Sequence, residues 1–438
     1  GDTVKKFFIQ TFGCQMNVYD SERVAVMLSN SGWIHTENAS DSDIIIINSC
    51  SVRDKPLKKL FSCAGRYLPL KRRKGTLIFI MGCVAQQLGR KIIEKAPFVD
   101  GVFGPGAEDL ILQVVEKGKY PFVSNDQDLL EREEIFPESS KGSFFEKHVS
   151  SITVMHGCNN FCSYCIVPFV RGKEVSRKSS SILQEVDMLI QKGVLEITLL
   201  GQNVNSYNDP QTGKDFTDLL YDVAKKDGLQ RLRFMTSHPK DFNEKLAAAF
   251  TEIPQLMPNL HLPAQSGSDR ILNMMNRKYT IADYLKKLDM ARKYLPDVAL
   301  SGDFIVGFPD ETEDDFRQTL DLIERVGYDV IYAFAYSPRP MTAASKLMDN
   351  ISPDVKAERL NRLLDAQKNR MKEVRNRYLN RTVKVLIEKP SPKSRTLMGR
   401  NEHNLVTHVV NAVDDDMGRI IDVKVLEVLE NTLRGQKT

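Results

Sequence analysis

The sequence predicts an α/β protein in three parts: an N-terminal doubly wound parallel sheet, a central partial barrel of six strand-and-helix units, and a small antiparallel β-barrel of OB-like type at the C-terminus. Three observations carry this. Apolar β-rich runs alternate with helical patterns in the first part, the alternation repeats six times in the second, and the last part has short alternating segments separated by Pro, Gly and Asp turns. A length of 438 residues suits about three domains, with expected bounds of 3–122, a linker over 123–147, 148–376 and 377–438. Composition is that of a globular protein, 42% hydrophobic and 27% charged. No apolar run approaches the roughly 18 residues of a membrane span, and the start GDTVKKFFIQ lacks signal-peptide architecture, so a soluble cytoplasmic protein is expected.

In the first part, three runs share one design: KKFFIQTFGC ending at Cys14, DIIIINSC ending at Cys50 and TLIFIMGC ending at Cys83. Each is a short, nearly continuous apolar segment of the kind buried on both faces of a parallel sheet. Helical patterns cover Asp20–Ser29, Pro56–Leu68 and Gln86–Lys95. Right-handed crossovers bring the carboxyl ends of such strands to one edge, where open α/β sheets bind ligands. Cys14, Cys50 and Cys83 are therefore expected to converge as a dispersed three-thiolate site. Any one of them alone is well explained as a small core residue. Cys63, inside the helical stretch LKKLFSCAGRYL, has no counterpart and is expected to pack. Seven cysteines are an odd number for a disulfide framework and point to metal ligation in a reducing compartment.

The stretch GCNNFCSYC places Cys158, Cys162 and Cys165 with three and then two residues between them. A structural zinc site usually fills four positions from C-x-x-C pairs, whereas a cubane iron–sulfur cluster can be held by three thiolates, leaving one iron open. A disulfide or zinc knuckle is the alternative. C-x3-C-x2-C with an aromatic, Tyr164, before the last cysteine resembles the radical S-adenosylmethionine superfamily. That resemblance implies that the open iron chelates the methionine moiety and delivers one electron.

Together with Cys14, Cys50 and Cys83, the segments TFGCQMNVYDSERV and HGCNNFCSYCIVPFVRGKEVSR resemble the radical methylthiotransferases over essentially the whole chain. Within that family they look most like the branch acting on N6-dimethylallyladenosine in tRNA. The branch acting on a ribosomal-protein aspartate usually has Pro-Lys in place of Gln15-Met16, and the branch acting on threonylcarbamoyl-adenosine also reads differently there.

The central strands are expected at Ser151–Met155, Glu196–Asn203, Arg231–Ser237, Asn259–Gln265, Ala299–Val306 and Val330–Tyr336, and the resemblance implies an open (β/α)6 barrel. Barrels work at the carboxyl ends of their strands, where the GQN, SHP, PAQSGS and SGD segments fall. By resemblance, Gly201 and Gln202 approach the methionine amino group, the backbone at Tyr164 meets the adenine, and Gln265 and Asp303 line the pocket. Any one of these polar residues is equally a strand end or turn. GFPDE at 307–311 reads as a turn and helix entrance.

A charged helical stretch over Ala357–Leu379 leads to the last part, which resembles the TRAM RNA-binding module, with only some of its spaced glycines (Gly399, Gly418). Residues 366–400 carry eleven Lys and Arg against Glu373 and Glu388, so RNA-backbone contact is expected there; a solvated helix face is the plainer reading of such a run.

Carbon 2 of an adenine is an unactivated position beyond side-chain acids and bases, so a radical cofactor must take the hard step. The family implies two 4Fe-4S clusters, one at each cysteine set, and S-adenosyl-L-methionine in two roles: source of the 5′-deoxyadenosyl radical and methyl donor to sulfur at the N-terminal cluster. No catalytic residue beyond the cluster ligands is expected. The implied partners are tRNA at its anticodon loop, a low-potential electron donor such as flavodoxin or ferredoxin, and a sulfur source. An electron-transfer protein with two clusters would need neither the barrel repeats nor an RNA module. An RNA-binding scaffold with structural clusters would bind tRNA without cleaving S-adenosylmethionine.

Overall fold

The computed structural model describes residues 4–51, 54–131, 148–392 and 395–438, so most of the expected linker, 132–147, lies outside the described residues. The N-terminal unit runs β1 (Lys6–Phe12), α1 (Gln15–Asn30), β2 (Ile34–His35), β3 (Ile44–Ser49), α2 (Asp54–Arg66), α3 (Leu68–Lys74), β4 (Leu77–Met81), α4 (Cys83–Leu88), α5 (Lys91–Lys95), β5 (Gly101–Phe103), α6 (Ile111–Lys117) and β6 (Phe122–Ser124). Its six strands form one parallel sheet in the order β2-β1-β3-β4-β5-β6. The isoleucine run of β3 explains why the sheet is covered on both sides. Ile44 and Ile46 pack with Val24 and Leu28 of α1 and Ile111 of α6, while Ile45 and Ile47 pack with Leu60 and Ala64 of α2 and Ile92 of α5. Strand order reverses between β1 and β3, so Cys14 and Cys50 follow the two strands at the topological switch point. The single helix expected over 86–95 is instead α4 and α5, because Gly89 takes a left-handed φ of 48° and caps the first.

The central unit continues with β7 (Val149–Thr153), β8 (Met155–His156), α7 (Val167–Val170), β9 (Val175–Ser176), α8 (Ser179–Gln191), β10 (Glu196–Leu200), α9 (Phe216–Ala224), β11 (Arg231–Phe234), α10 (Glu244–Glu252), β12 (Asn259–His261), α11 (Asp269–Met274), α12 (Ile281–Tyr294), β13 (Ala299–Val306), α13 (Glu313–Val326) and β14 (Val330–Ala335). The six expected strands are β7, β10, β11, β12, β13 and β14, all parallel to their neighbours, in two three-stranded sheets. Between β11 and the segment before β12, pairing is reduced to one bridge, Leu232 to Leu256. Pro254 and Pro258 flank that bridge and cannot donate to a ladder. One apolar core nevertheless unites both sheets, from Ile152 and Ile197 through Phe234 and Leu260 to Phe304. A short antiparallel pair, β8 with β9, clasps the loop that holds Cys158, Cys162 and Cys165.

Helix α14 (Pro353–Arg375) starts on Ser352, whose side chain accepts from the Val355 amide, and leads to β15 (Thr382–Pro390), β16 (Leu397–Asn401), β17 (Val406–Val409), β18 (Ile420–Val428) and β19 (Leu433–Lys437). These close into a barrel in the order β15-β16-β17-β19-β18. Closure is as expected, but one seam, β17 with β19, is parallel, because the last strand inserts between β17 and β18. Buried Arg231 and Arg233 of β11 fasten this barrel to the central unit by donating to the carbonyls of Lys384, Arg400, Asn401 and Glu402.

Candidate metal centres and the strand-end pocket

At the N-terminal sheet, Cys14 caps the start of α1, Cys50 follows β3 and Cys83 begins α4, so the three adjacent strands β1, β3 and β4 deliver one cysteine each to the same edge. The chain must turn sharply to do so. Gly82 has φ of 93°, and a Cβ there would lie 2.3 Å from Asn48 Oδ1 and 2.9 Å from the Ser49 carbonyl. A buried amide pair sets the spacing of the strand ends: Asn17 Nδ2 donates to Asn48 Oδ1 at 3.0 Å, and Asn48 Nδ2 donates to the Asn17 carbonyl at 2.8 Å. Asn17 Oδ1 also accepts from the Cys14 amide and thiol, each at 3.3 Å. A hydrogen bond from Cys50, the charge of Arg171 and the amides of Asn17 and Met16 outweigh burial and hold the Cys14 thiol down at about 6. Burial instead pushes the Cys83 thiol up, with Arg171 opposing it.

The central set is local. Gly157 takes φ of 71°, and a Cβ there would lie 1.9 Å from the Lys173 carbonyl oxygen, so only glycine lets the two ends of the cysteine loop close. Cys158, Cys162 and Cys165 are partly buried within it. Burial, then the charge of Cys162, pushes Cys165 up to about 12; burial also raises Cys158. Ionising these thiols needs positive charge beside them, which a bound metal cluster provides. Arg277, 4% exposed, donates to Cys162 Sγ at 3.4 Å and to the Pro263 carbonyl at 2.9 Å, while its Nε reaches Tyr279 at 2.9 Å.

All seven cysteines are free thiols. Among the described residues, no three of His, Cys, Asp and Glu stand close enough to hold a single metal ion, whereas a cubane takes each thiolate on a separate iron. Cys63 stands apart from both sets: buried among Ile45, Ile47 and Ile80, it donates to Gln10 Oε1 at 2.9 Å.

Of the expected pocket residues, Gln265 lies four residues past β12 and Asp303 stands within β13 rather than at its end. Gly201 and Gln202 follow β10, and Gly201 lies against Met155. Asn203 accepts from the His238 amide at 3.0 Å, tying the GQN segment to SHP. Gln265, at φ of 72°, donates its amide to the Asp303 carbonyl at 2.8 Å, and Asp303 Oδ2 lies 3.3 Å from His261 Nε2. Gln202 Oε1, Ser237 Oγ and His238 Nε2 are buried with no hydrogen-bond partner within the chain. Tyr164 differs: its ring packs against Ile271, Phe308 and Tyr336, and its hydroxyl lies 3.5 Å from Arg277 NH1. The GFPDE turn is structural, with buried Glu311 accepting from the Gly307 amide and from Arg359.

At least six of the eleven basic residues at 366–400 have partners within the chain. Lys368, Arg370, Arg375, Arg377, Arg381 and Lys384 are engaged with Glu430, Glu373, backbone carbonyls, Asp329, Asp297 and Asp422 respectively. Arg375, Arg377 and Arg381 fasten this stretch to the central unit. Asn17, Asn48, Arg171 and Arg277 were not singled out in the sequence. A glycine directly before Cys14, Cys83 and Cys158 was the legible signal that these cysteines sit in sharp turns.

Residues 6–104 match the Uncharacterized protein family UPF0004, residues 152–323 the Radical SAM superfamily and residues 376–438 the TRAM domain. Over 440 residues the chain is 44% identical to a tRNA-2-methylthio-N(6)-dimethylallyladenosine synthase of Geobacter metallireducens, covering 99% of this chain and 98% of that one. A protein of the same name from Jannaschia sp. is 42% identical over 435 residues, 99% of this chain and 94% of its own. Among solved structures, the radical S-adenosylmethionine methyltransferase TsrM from Kitasatospora setae superposes with a TM-score of 0.60 at 12% identity, over 78% of this chain and 74% of that one. The cobalamin-dependent radical enzyme OxsB gives 0.52 at 12% identity, over 84% and 56%. At such identities these two likenesses speak for the fold alone.

Proposed function

The chain belongs to the tRNA-2-methylthio-N(6)-dimethylallyladenosine synthase family, the MiaB branch of the radical methylthiotransferases, and from that premise we propose that it adds a methylthio group to carbon 2 of N6-dimethylallyladenosine beside the tRNA anticodon. The observation that carries the reading is the pairing of two separate three-cysteine sets, one on a barrel loop and one at the switch point of a parallel sheet, in a chain ending in a TRAM domain. Cys158, Cys162 and Cys165 would hold one 4Fe-4S cluster, and Cys14, Cys50 and Cys83 the other. When bound, the first supplies the electron that cleaves S-adenosyl-L-methionine and the second carries the sulfur to be transferred.

The residues present suit these groups. Positive-φ glycines at 82 and 157 let the cysteine segments turn sharply, and the orphaned Gln202, Ser237 and His238 atoms offer hydrogen bonds to the polar part of S-adenosylmethionine. Gln265, Asp303 and the Tyr164 backbone would complete that site. A base from a single-stranded loop can be unstacked and presented to such a site. An electron donor of low potential, a sulfur source and a cytoplasmic setting complete the proposal; no helix among the described residues is long and apolar enough to cross a membrane.

Nucleoside mass analysis of tRNA from a strain lacking this gene tests the reading. N6-dimethylallyladenosine should accumulate without its 2-methylthio derivative, and the gene should restore it. Unchanged 2-methylthio-dimethylallyladenosine, with loss of a methylthio group from threonylcarbamoyl-adenosine or from a ribosomal-protein aspartate, would move the chain to another branch.

A further inference from the structure

Arg171 belongs to the central unit, six residues past Cys165, yet its guanidinium is spent on the N-terminal one. Its Nε donates to Cys83 Sγ at 3.2 Å and its NH2 group to Asp20 Oδ2 at 2.6 Å. Arg171 is 2% exposed, Asp20 0% and Cys83 3%. Placement is enforced by packing, since Cys83 shares an apolar cluster with Ile166 and Val170 on the segment leading to Arg171. A buried guanidinium is costly unless its donors are partnered, and one carboxylate takes at most two of its five N–H groups, so the Cys83 sulfur supplies a partner that Asp20 cannot.

Resting on the proposed assignment of Cys14, Cys50 and Cys83 as cluster ligands, we propose that Arg171 is a positioning residue of the N-terminal centre: it holds Cys83 in place across the interface and sets the charge, and so the reduction potential, felt by a group bound there. Hydrogen bonds to ligand sulfur and nearby charge are among the protein's means of tuning an iron–sulfur centre. Asp20 is the counterweight. Removing the positive charge disfavours the reduced, more negative form; removing Asp20 alone favours it.

The test uses the full chain carrying Cys158→Ala, Cys162→Ala and Cys165→Ala, so that any reconstituted cluster sits at the N-terminal cysteines. Midpoint potential by redox titration and iron loss to bipyridyl are measured anaerobically for this parent and with Arg171→Met or Asp20→Asn added. Arg171→Met should lower the midpoint potential, by about tenfold in the reduced-to-oxidised ratio at fixed potential (~59 mV for one electron), and speed iron loss about tenfold. Asp20→Asn should move the potential the opposite way. A merely structural arginine would change thermal stability in both variants without shifts of opposite sign. If Arg171→Met does not fold, the sign of the Asp20→Asn shift decides. Unchanged potentials in an iron-bearing protein overturn the inference and leave the cluster assignment standing. A parent that binds no iron overturns the assignment itself, and the inference with it.

Discussion

The two cysteine sets reach similar chemistry by opposite routes. Cys158, Cys162 and Cys165 sit in one loop pinched shut by β8 and β9, and their buried arginine, Arg277, comes from the same unit. Cys14, Cys50 and Cys83 come from three strand ends, and their buried arginine, Arg171, comes from the other unit. A local site needs only the right turns, so its spacing can be read directly. A dispersed site needs the whole sheet to form and a neighbour to dock, so its integrity reports on the fold around it.

The sharpest break in the comparison is functional. Substituting Cys158, Cys162 or Cys165 by Ala should abolish 5′-deoxyadenosine formation while iron remains at the N-terminal set. Wild-type deoxyadenosine output from any one of the three would remove the barrel assignment. Substituting Cys14, Cys50 or Cys83 should do the reverse: deoxyadenosine still forms, methylthio insertion into tRNA stops, and iron falls from about eight to about four atoms per chain, the loss of one cubane. Equal losses of both activities in both groups would mean that the sets are not separable.

A smaller effect follows from chain entropy. Separations of 36 and 33 residues divide Cys14, Cys50 and Cys83, against 4 and 3 for Cys158, Cys162 and Cys165. Loop closure grows as the logarithm of length, so each closure at the dispersed set should restrict the unfolded chain by about 2 kcal/mol more than its local counterpart. Anaerobic melting of variants that keep one cysteine set each, with and without iron, reads this. Iron removal should lower the melting temperature more for the dispersed set, by on the order of 10 °C. Equal shifts would indicate that the N-terminal strand ends are already tied in the unfolded chain.

How far the sequence was legible follows the same division. The three cysteine-bearing strands were readable because their nearly continuous apolar runs suit a sheet covered on both faces, the six barrel strands because strand and helix patterns alternate, and Ala299–Val306 has the expected bounds. What was not readable depended on contacts between distant segments. Arg171 sits in PFVRG with nothing local to distinguish it from a surface arginine, and only docking against α4 places it on Cys83. The ion pairs of the cationic run at 366–400 were unreadable for the same reason: Asp297, Asp329 and Asp422, its partners, lie far away or come later in the chain. Truncation at Arg381 would therefore do more than remove an RNA contact, since it strips the carbonyl acceptors from buried Arg231 and Arg233.

The mildest substitution is also a control on the whole comparison. Cys63 is 1% exposed in α2 and differs from its six counterparts: it follows no strand, shares no edge with them, and its thiol donates to Gln10 Oε1, which also accepts from the Tyr67 hydroxyl at 2.5 Å. Cys63→Ala removes one buried sulfur atom and one weak donor, while Tyr67 continues to satisfy Gln10. The expected cost is about 1 kcal/mol of stability, with iron content, deoxyadenosine formation and methylthio insertion unchanged. Denaturant unfolding of the iron-free protein gives the first quantity and iron analysis of the reconstituted protein the second. A loss of about four irons in Cys63→Ala would place it in the N-terminal centre, and one of Cys14, Cys50 and Cys83 would then have to be the packing residue.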